Sequence, residues 1–272
     1  MEVLKFLKKS EIKKIFDEKS ILVIEYLLKK VLFSQPELLS NQKQYNIQMT
    51  KEFLEQWVSQ GLNWEIVGAG NYSIDVYSKI EKYGADVKFI SAKVDKDNNF
   101  LSSESNETSL MQNFKNIGRE LDQDFSNKDF NKILEGWKNI LFIKINKPIK
   151  DHKLKGIYYF IFIRGGNSIS LSIAKVNYHK IKDIRVSRIT KTSAFIDGYI
   201  NGRYGNVKIY KSKKRMELRC YAKNIEDDGL AIKWNFQKLL NDKGISLRDL
   251  VDNQKLFQNH IRKEIKRFFN FL

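Results

Sequence analysis

Apolar residues recur at three- and four-residue spacing along the first sixty positions of the chain. The segment from Ile12 to Phe33 has this spacing and ends shortly before Pro36, and the segment from Lys51 to Gln60 has it again before Gly61. Such spacing gathers apolar side chains on one face of a helix, and Pro and Gly are typical of helix ends. The pattern therefore predicts two helices.

Shorter segments rich in β-branched and aromatic residues follow these helices. They run from Trp64 to Val67, from Tyr72 to Ser78 and from Asp86 to Val94, and glycine-containing turns separate them. Short apolar segments between such turns are typical of successive strands. Helical spacing then returns and predicts helices over Glu107–Phe125 and Asn127–Trp137.

Strand patterns dominate the second half of the chain, and helices end it. The predicted strands are Ile140–Ile145, Gly156–Ile163, Ser168–Val176, Ser193–Ile200, Asn206–Tyr210 and Met216–Ala222, and the predicted helices are Trp234–Leu240 and Gln254–Phe271. This order predicts an α/β fold with helices around a central sheet, followed by a basic, β-rich C-terminal extension. We expect one unit over residues 1–165 and a second over 166–272, with a single compact domain as the alternative.

The net charge of +17 is concentrated in the second half of the chain. Residues 151–272 hold 26 of the 49 basic residues but only 11 of the 32 acidic ones, and the densest basic stretch runs from Lys175 to Lys223. Such a stretch creates a strong local positive potential. A polyanion is therefore the expected partner, although a solvated, lysine-rich surface would give the same composition.

Composition narrows the class of protein further. Hydrophobic residues make up 42% and charged residues 30%, as expected for a globular protein. The longest apolar run, Ile157–Ile163, is far shorter than the roughly 20 residues that span a bilayer, so we expect a cytoplasmic protein without a membrane contact. The single cysteine, Cys220, excludes an internal disulfide, and with three scattered histidines it supplies no zinc ligand set.

The candidate chemistry lies on two neighbouring predicted strands. Asp86 and Lys88 are two positions apart, so their side chains point to the same side of a strand. If the strand that carries Asp75 pairs with this one, two carboxylates and one ammonium group converge. Two carboxylates, with the Val87 carbonyl as a further oxygen, suit Mg²⁺, and a metal ion beside a lysine suits phosphodiester hydrolysis.

Around these residues the chain resembles the PD-(D/E)xK nuclease superfamily, especially the type II restriction endonucleases. The sequence from Gly84 to Ser91 is similar to the motif strand of these enzymes, and Asp75 stands in the place of their upstream metal-binding aspartate. The chain departs from the common pattern at Ile74, where proline is usual, and at Asp86, where glutamate is commoner. The resemblance implies a restriction-endonuclease-like central mixed sheet flanked by helices. It also implies an endonuclease that uses Mg²⁺, or Mn²⁺ in its place, and acts as a homodimer on a short site in double-stranded DNA.

Two alternatives concern the metal ligands. Asp86 could be the upstream aspartate, with Ser91-Ala92-Lys93 as the second element, but serine is a poorer Mg²⁺ ligand than a carboxylate. Glu55, on the preceding helix, could add a third carboxylate or could lie on a solvated helix face.

Candidate DNA contacts lie in the basic second half and at the start of one predicted helix. Lysine and arginine neutralise phosphates, arginine can also pair with guanine, and asparagine and glutamine can pair with adenine. The turn at Asn201–Gly205 would project Arg203 into a groove. The candidates are Gln112, Asn113, Arg164, Lys175, Arg185, Arg188, Lys191, Arg203, Tyr204, Lys211, Lys213, Lys214 and Arg215.

The leading hypothesis is a type II restriction endonuclease that uses Asp75, Asp86 and Lys88 for catalysis. One alternative is a nucleic-acid-binding protein without catalysis, which would bind in a salt-dependent way and would not nick DNA in the presence of Mg²⁺. Another is a repair or mismatch-nicking endonuclease of the same fold.

Overall fold

A mixed sheet of eight strands forms the centre of the fold. The computed structural model describes residues 2–42, 48–67, 72–103, 105–211, 215–236 and 244–271. The strands of the central sheet are β1 (Leu4–Phe6), β2 (Glu65–Ile66), β3 (Val76–Ser78), β4 (Tyr83–Val94), β5 (Phe100–Ser103), β7 (Gly156–Gly165), β8 (Ser168–Val176) and β13 (Ile232–Asn235). A second sheet contains β6 (Ser105–Ser109), β9 (Arg185–Ile189), β10 (Ser193–Asp197), β11 (Gly205–Tyr210) and β12 (Arg215–Cys220).

Helices flank both faces of the central sheet. The helices of the described residues are α1 (Lys9–Ile15), α2 (Glu18–Phe33), α3 (Lys51–Leu62), α4 (Met111–Asn116), α5 (Leu121–Ser126), α6 (Phe130–Asp151), α7 (Ala222–Asp227), α8 (Leu247–Asp252) and α9 (Gln254–Phe271). The predicted α/β class, with a mixed central sheet flanked by helices, is confirmed. Among the described residues, no helix combines the length and the apolar character that a membrane crossing requires.

The middle of the central sheet is the run β4-β7-β8. Strand β4 pairs with β7 in parallel, whereas β7 and β8 form an antiparallel hairpin. A parallel pair needs a crossover connection, and the chain makes it through β5, β6 and α4 to α6. Every residue of the apolar run Ile157–Ile163 except Tyr159 is buried, as expected for a strand covered on both faces.

Alternation along β4 and β7 divides the core into two layers. Val87 and Phe160 face a layer formed with α2 and α3, which includes Leu54 and Trp57. Residues of the opposite parity, such as Ile161, face a layer formed with α6 and the second sheet. The four tryptophans are all buried. Because Asp86 and Lys88 have the same parity as Ile90, they face α6 and the second sheet.

Predictions near the N-terminus are largely confirmed. Helix α3 begins after Thr50, whose hydroxyl accepts a hydrogen bond from the Phe53 N–H at 3.3 Å. The helix predicted over Ile12–Phe33 is divided into α1 and α2. Asp17 causes this division, because its carboxylate accepts a 2.8 Å hydrogen bond from the Ser20 N–H and thereby caps α2.

Three predicted elements differ from the structure, one entirely and two in part, and residues 237–240 of the helix predicted over Trp234–Leu240 lie outside the described residues. Residues Ile140–Ile145 belong to α6, since Trp137, Leu141 and Ile145 continue a four-residue spacing along one buried helix face. Glu107 lies in β6, where it pairs with β12, so the helical region begins only at Met111. Trp234 lies in β13, which pairs with β8. In the last two cases strand pairing, which the local sequence does not encode, overrides a helical pattern.

The predicted division at residue 165 falls inside the β7–β8 hairpin. Both strands belong to the central sheet. The second sheet likewise combines β6, from the first half of the chain, with four strands from the second half. Strand pairing therefore crosses the division in both sheets, as the alternative of one compact domain requires.

Cys220 is expected to resist alkylation in the folded protein. Its side chain is buried, and burial raises the pKa of the thiol to about 12, because the thiolate is poorly stabilised away from water. Iodoacetamide at mildly alkaline pH, followed by mass spectrometry, should label Cys220 only after denaturation. Labelling of the native protein as fast as a free thiol would contradict this buried position.

Candidate active site

Asp75 and Asp86 are brought together by the pairing of β3 with β4. Asp75 immediately precedes β3, and its backbone N–H donates to the Ala85 carbonyl at 2.8 Å. The Asp75 Oδ2 atom accepts a 2.7 Å hydrogen bond from the Val87 N–H. The Asp75 carboxylate, just before the start of β3, therefore accepts a hydrogen bond from the β4 backbone, and this bond fixes it beside Asp86.

Both carboxylates and Lys88 line one cleft of about 220 Å³. The cleft lies between the central sheet, α6 and the second sheet, and α6 contributes Trp137 and Lys144. The remaining lining residues are Lys51, Tyr72, Ser73, Thr108, Leu110, Ile140, Leu141, Ile145, Tyr159, Met216 and Leu218. The three residues that sequence analysis assigned to catalysis thus share one concave site, which is the usual setting of an active site.

Asp86 and Lys88 form a buried ion pair at the bottom of this cleft. The Lys88 Nζ atom lies 2.6 Å from Asp86 Oδ2, and the two side chains are only 19% and 10% exposed. Burial and the neighbouring Asp75 charge raise the pKa of the Asp86 carboxyl above its ordinary value, although Lys88 opposes them. Burial by itself would lower the pKa of Lys88, but the Asp86 carboxylate outweighs it, so the pKa of this ammonium is raised.

Lys51 connects Asp75 to Glu55. Its Nζ atom lies 3.1 and 3.2 Å from the two Asp75 carboxylate oxygens and 2.9 Å from Glu55 Oε1. Burial disfavours the Lys51 charge, but Glu55 and Asp75 together raise the pKa of Lys51. Glu55 therefore contacts the cleft residue Lys51, as the alternative of a third carboxylate close to the site requires.

A third lysine, Lys144, enters the cleft from α6. Burial and the nearby Lys88 charge lower its pKa, which indicates a cation without enough local compensation. Behind Lys88, the hydroxyl groups of Tyr159 and Tyr199 lie 3.2 Å apart, and Lys88 Nζ lies 5.6 Å from the centre of the Tyr159 ring. The Tyr159 ring is therefore within cation–π distance of the Lys88 ammonium.

The alternative ligand set is not assembled. Ser91 has the opposite parity to Asp86, and its hydroxyl accepts a 3.1 Å hydrogen bond from Arg164 Nε. The Arg164 guanidinium lies over the Phe89 ring at 4.7 Å. Ser91 therefore lies on the other face of the central sheet, away from the cleft.

Two predicted DNA contacts also lie on that other face. Arg164 packs against Phe89 there, and Lys175 lies 5.9 Å above the Tyr83 ring. Gln112 and Asn113 are on α4, which begins directly after the cleft residue Leu110, and the Gln112 amide donates to Asn116 at 2.8 Å. The structure thus places the α4 pair near the cleft and separates Arg164 and Lys175 from it.

The basic candidates of the second half are distributed around the second sheet. Arg185 and Arg188 lie on β9, Arg215 lies on β12, and Lys191 and Lys211 lie next to strand ends, and all five are exposed. Lys213 and Lys214 lie outside the described residues. None of the five described residues lines the cleft.

Arg203 and Tyr204 have an intramolecular partner, in contrast to the prediction of a groove contact. The Arg203 Nε and Nη2 atoms each lie 2.6 Å from an Asp228 carboxylate oxygen, and the Tyr204 hydroxyl donates to the same carboxylate at 2.9 Å. This bidentate pair lowers the pKa of Asp228 to about 2. The turn at Asn201–Gly205 is therefore tied to α7, and its arginine is directed to a carboxylate.

Lys51 and Lys144, which both line the cleft, were not among the site residues predicted from the sequence. Lys51 and Glu55 are four residues apart at the start of a predicted helix, and this spacing is a usable signal for a shared helix face. No such signal existed for Lys144, because the region that forms α6 was predicted to be a helix followed by a strand.

The candidate metal ligands at the site are the carboxylates of Asp75 and Asp86, and the Glu55 carboxylate lies nearby. Within the described ranges, His, Cys, Asp and Glu side chains do not gather in threes at a spacing suited to a metal ion. Comparisons with protein-family models, with curated proteins and with solved structures each found no match to this chain.

Proposed function

We propose that the chain is an Mg²⁺-dependent endonuclease that hydrolyses double-stranded DNA and has a restriction-endonuclease-like fold. The observation that carries this proposal is the convergence of Asp75, Asp86 and Lys88 in one cleft. A parallel β4–β7 pair connected through α6, with an antiparallel β3 that delivers Asp75, is also compatible with the fold that the motif implies.

The donor atoms at the site fit a hard divalent cation. Asp75 and Asp86 supply carboxylate oxygens, and proximity to Asp75 contributes to the raised Asp86 pKa, so a cation between them would relieve their repulsion. Within a strand, the N–H and C=O of one residue point to the same neighbour. Because the Val87 N–H bonds to Asp75, the Val87 carbonyl points to that side as a third oxygen ligand. The bound ion would polarise the phosphoryl group and lower the pKa of a water molecule.

Lysine side chains would supply the remaining chemistry. Lys88 remains protonated beside Asp86 and would orient the attacking water or neutralise the phosphoryl oxygens. Lys144 is the cleft cation whose charge is least compensated, so a DNA phosphate would stabilise it most. We assign Lys144 to phosphate contact.

Incubation of the purified chain with supercoiled plasmid tests this proposal. We expect linear or nicked products with Mg²⁺ or Mn²⁺ and none with EDTA, and sequencing of the product ends would report cleavage position. A single recurring palindromic site would support a homodimeric type II enzyme, whereas cuts confined to mismatched substrates would support a repair enzyme. Intact plasmid and intact mismatched duplex under all these conditions would contradict the nuclease proposal.

A nucleic-acid-binding protein without catalysis is the second candidate. It is favoured by the two ammonium–carboxylate pairs, Lys51 with Asp75 and Lys88 with Asp86, because these pairs already neutralise both carboxylates. In that case the acidic residues would stabilise the fold and would not bind metal. The plasmid experiment distinguishes the two candidates.

Replacement of Lys51 by methionine is expected to tighten Mn²⁺ binding about tenfold. The Lys51 ammonium contacts both Asp75 and Glu55 and so competes with a cation for them. A unit charge at about 4 Å contributes up to about 4 kcal/mol at an intermediate dielectric, and tenfold corresponds to about 1.4 kcal/mol. Calorimetric titration checks this expectation, and Lys51→Arg, which keeps the charge, is the matched control. Unchanged or weaker binding in Lys51→Met would show that Lys51 does not compete with the metal.

A further inference from the structure

The outer face of the second sheet carries a row of basic and aromatic side chains. Strand register places Phe195 directly between Arg188 and Lys208, and Lys208 opposite Glu217. Directly paired residues of neighbouring strands lie on the same face of a sheet. These four residues therefore cross the sheet from β9 to β12 on one side. We call this surface, together with Tyr210, the outer face.

Cations and rings on the outer face are in direct contact. The Arg188 guanidinium lies 4.1 Å from the centre of the Phe195 ring, and Lys208 Nζ lies 4.4 Å from that of Tyr210 and 5.7 Å from that of Phe195. Both rings are partly exposed. An arginine plane stacked on a ring presents a flat, cationic surface to solvent.

The charge of the outer face favours an anionic partner. The alternation of side chains along each strand determines which charged residues lie on the outer face. Among these, the basic residues outnumber the acidic ones. Glu217 is buried between Lys208 at 3.4 Å and Arg219 at 3.2 Å, so it is already neutralised. The basic residues are Arg185, Arg188, Lys208, Arg215 and Arg219, and the acidic residues are Asp197, Glu217 and, by its register opposite Glu217 on β6, Glu107.

The outer face is separate from the cleft. Along β12, Met216 and Leu218 line the cleft, whereas the alternating residues Arg215, Glu217 and Arg219 point to the opposite side of the sheet. A strand of nucleic acid in the cleft therefore does not contact the outer face through the same sheet surface. A ligand of the outer face is therefore either a separate molecule or a second segment of a long nucleic acid whose first segment lies in the cleft.

We infer that the outer face binds single-stranded nucleic acid. Phosphates would contact the arginines, and bases would stack on Tyr210 and on the Arg188–Phe195 pair. Five strands at about 4.8 Å spacing give a platform roughly 19 Å wide, which does not enter a major groove about 12 Å wide. This geometry favours an unpaired strand over direct reading of a duplex. The inference uses nucleic acid as the partner, as the proposed function does, but it does not depend on the cleft.

Fluorescence anisotropy with a labelled oligothymidine in EDTA tests this inference. We expect salt-sensitive binding by the full chain that Tyr210→Leu and Arg188→Gln each weaken about tenfold, while Tyr210→Phe, which keeps the ring, binds normally. The double variant Lys13→Gln/Lys14→Gln removes two exposed charges from α1 and is expected to bind normally. Because the assay contains EDTA, it reports binding without Mg²⁺-dependent cleavage, which separates this test from that of the cleft.

Three results would overturn the inference. One is the absence of oligothymidine binding at low salt. Another is equal competition by a duplex of the same length, since the outer face would then be a general phosphate contact. The third is an equal loss of affinity in Tyr210→Phe and Tyr210→Leu when circular dichroism shows that both variants are folded, because stacking would then play no part.

Discussion

Replacement of Asp86 by asparagine is expected to lower the rate of Mg²⁺-dependent DNA cleavage by at least about a thousandfold, because metal stabilisation of transition-state charge contributes several kcal/mol. Asparagine preserves the shape of the side chain but removes its charge. Lys88 would also lose its 2.6 Å partner at the bottom of the cleft. Both changes act on the reacting phosphate, so the loss should appear in the rate of cleavage.

Plasmid cleavage and duplex binding, measured on the same preparation, check this expectation. Duplex binding should persist in Asp86→Asn, because Lys144, which we assign to phosphate contact in the cleft, is unaffected. Asp97→Asn is the matched control, since Asp97 is exposed in the turn between β4 and β5 and should cleave normally. Undiminished cleavage by Asp86→Asn would remove this residue from the chemistry.

Replacement of Phe160 by alanine is expected to destabilise the fold by about 3–5 kcal/mol, the usual cost of truncating a buried aromatic residue. Phe160 is fully buried in β7, and its ring centre lies 5.1 Å from that of Phe16 and 5.7 Å from that of Trp64. The cavity would therefore open between the central sheet and the helical layer on the face away from the cleft.

Urea unfolding followed by circular dichroism measures this change. Ile80→Ala is the control, because Ile80 is 90% exposed and exposed substitutions usually change stability by less than about 0.5 kcal/mol. Similar midpoints for the two variants would contradict the central position of β7. Phe160 pairs with Val87 across β4 and β7, so we also expect weaker metal binding as Phe160→Ala approaches unfolding.

Alternation along single strands made much of the site predictable. Asp86 and Lys88 were expected on one side of a strand, and they line the same cleft. The segment from Asp86 to Val94 and the apolar run of β7 were also sufficient to predict β4 and β7, although β4 begins earlier, at Tyr83, and includes Gly84, which was expected in a turn. These features depend on two-residue periodicity, which is a local property of the sequence.

Features that depend on which elements pair were not predictable. Lys51 reaches Asp75 across 24 positions of sequence, and its effect depends on the packing of α3 against the sheet. The face of the second sheet on which Arg188 and Lys208 lie depends on register with strands from both halves of the chain. A one-residue difference in register would have turned these cations toward the core-facing side of the second sheet, so charge density alone could not locate them.

Cleavage of the polypeptide by bound Fe²⁺ tests most directly whether Asp75 and Asp86 share a divalent cation. Fe²⁺ in place of Mg²⁺ reduces added hydrogen peroxide to hydroxyl radicals that cut the backbone near the ion, ascorbate regenerates Fe²⁺ from Fe³⁺, and mass spectrometry locates the cuts. We expect cuts close to residues 75 and 86–88 that excess Mg²⁺ suppresses and that Asp75→Asn and Asp86→Asn each abolish. Cuts only at other positions, or the same cuts in both variants, would contradict a metal site in this cleft.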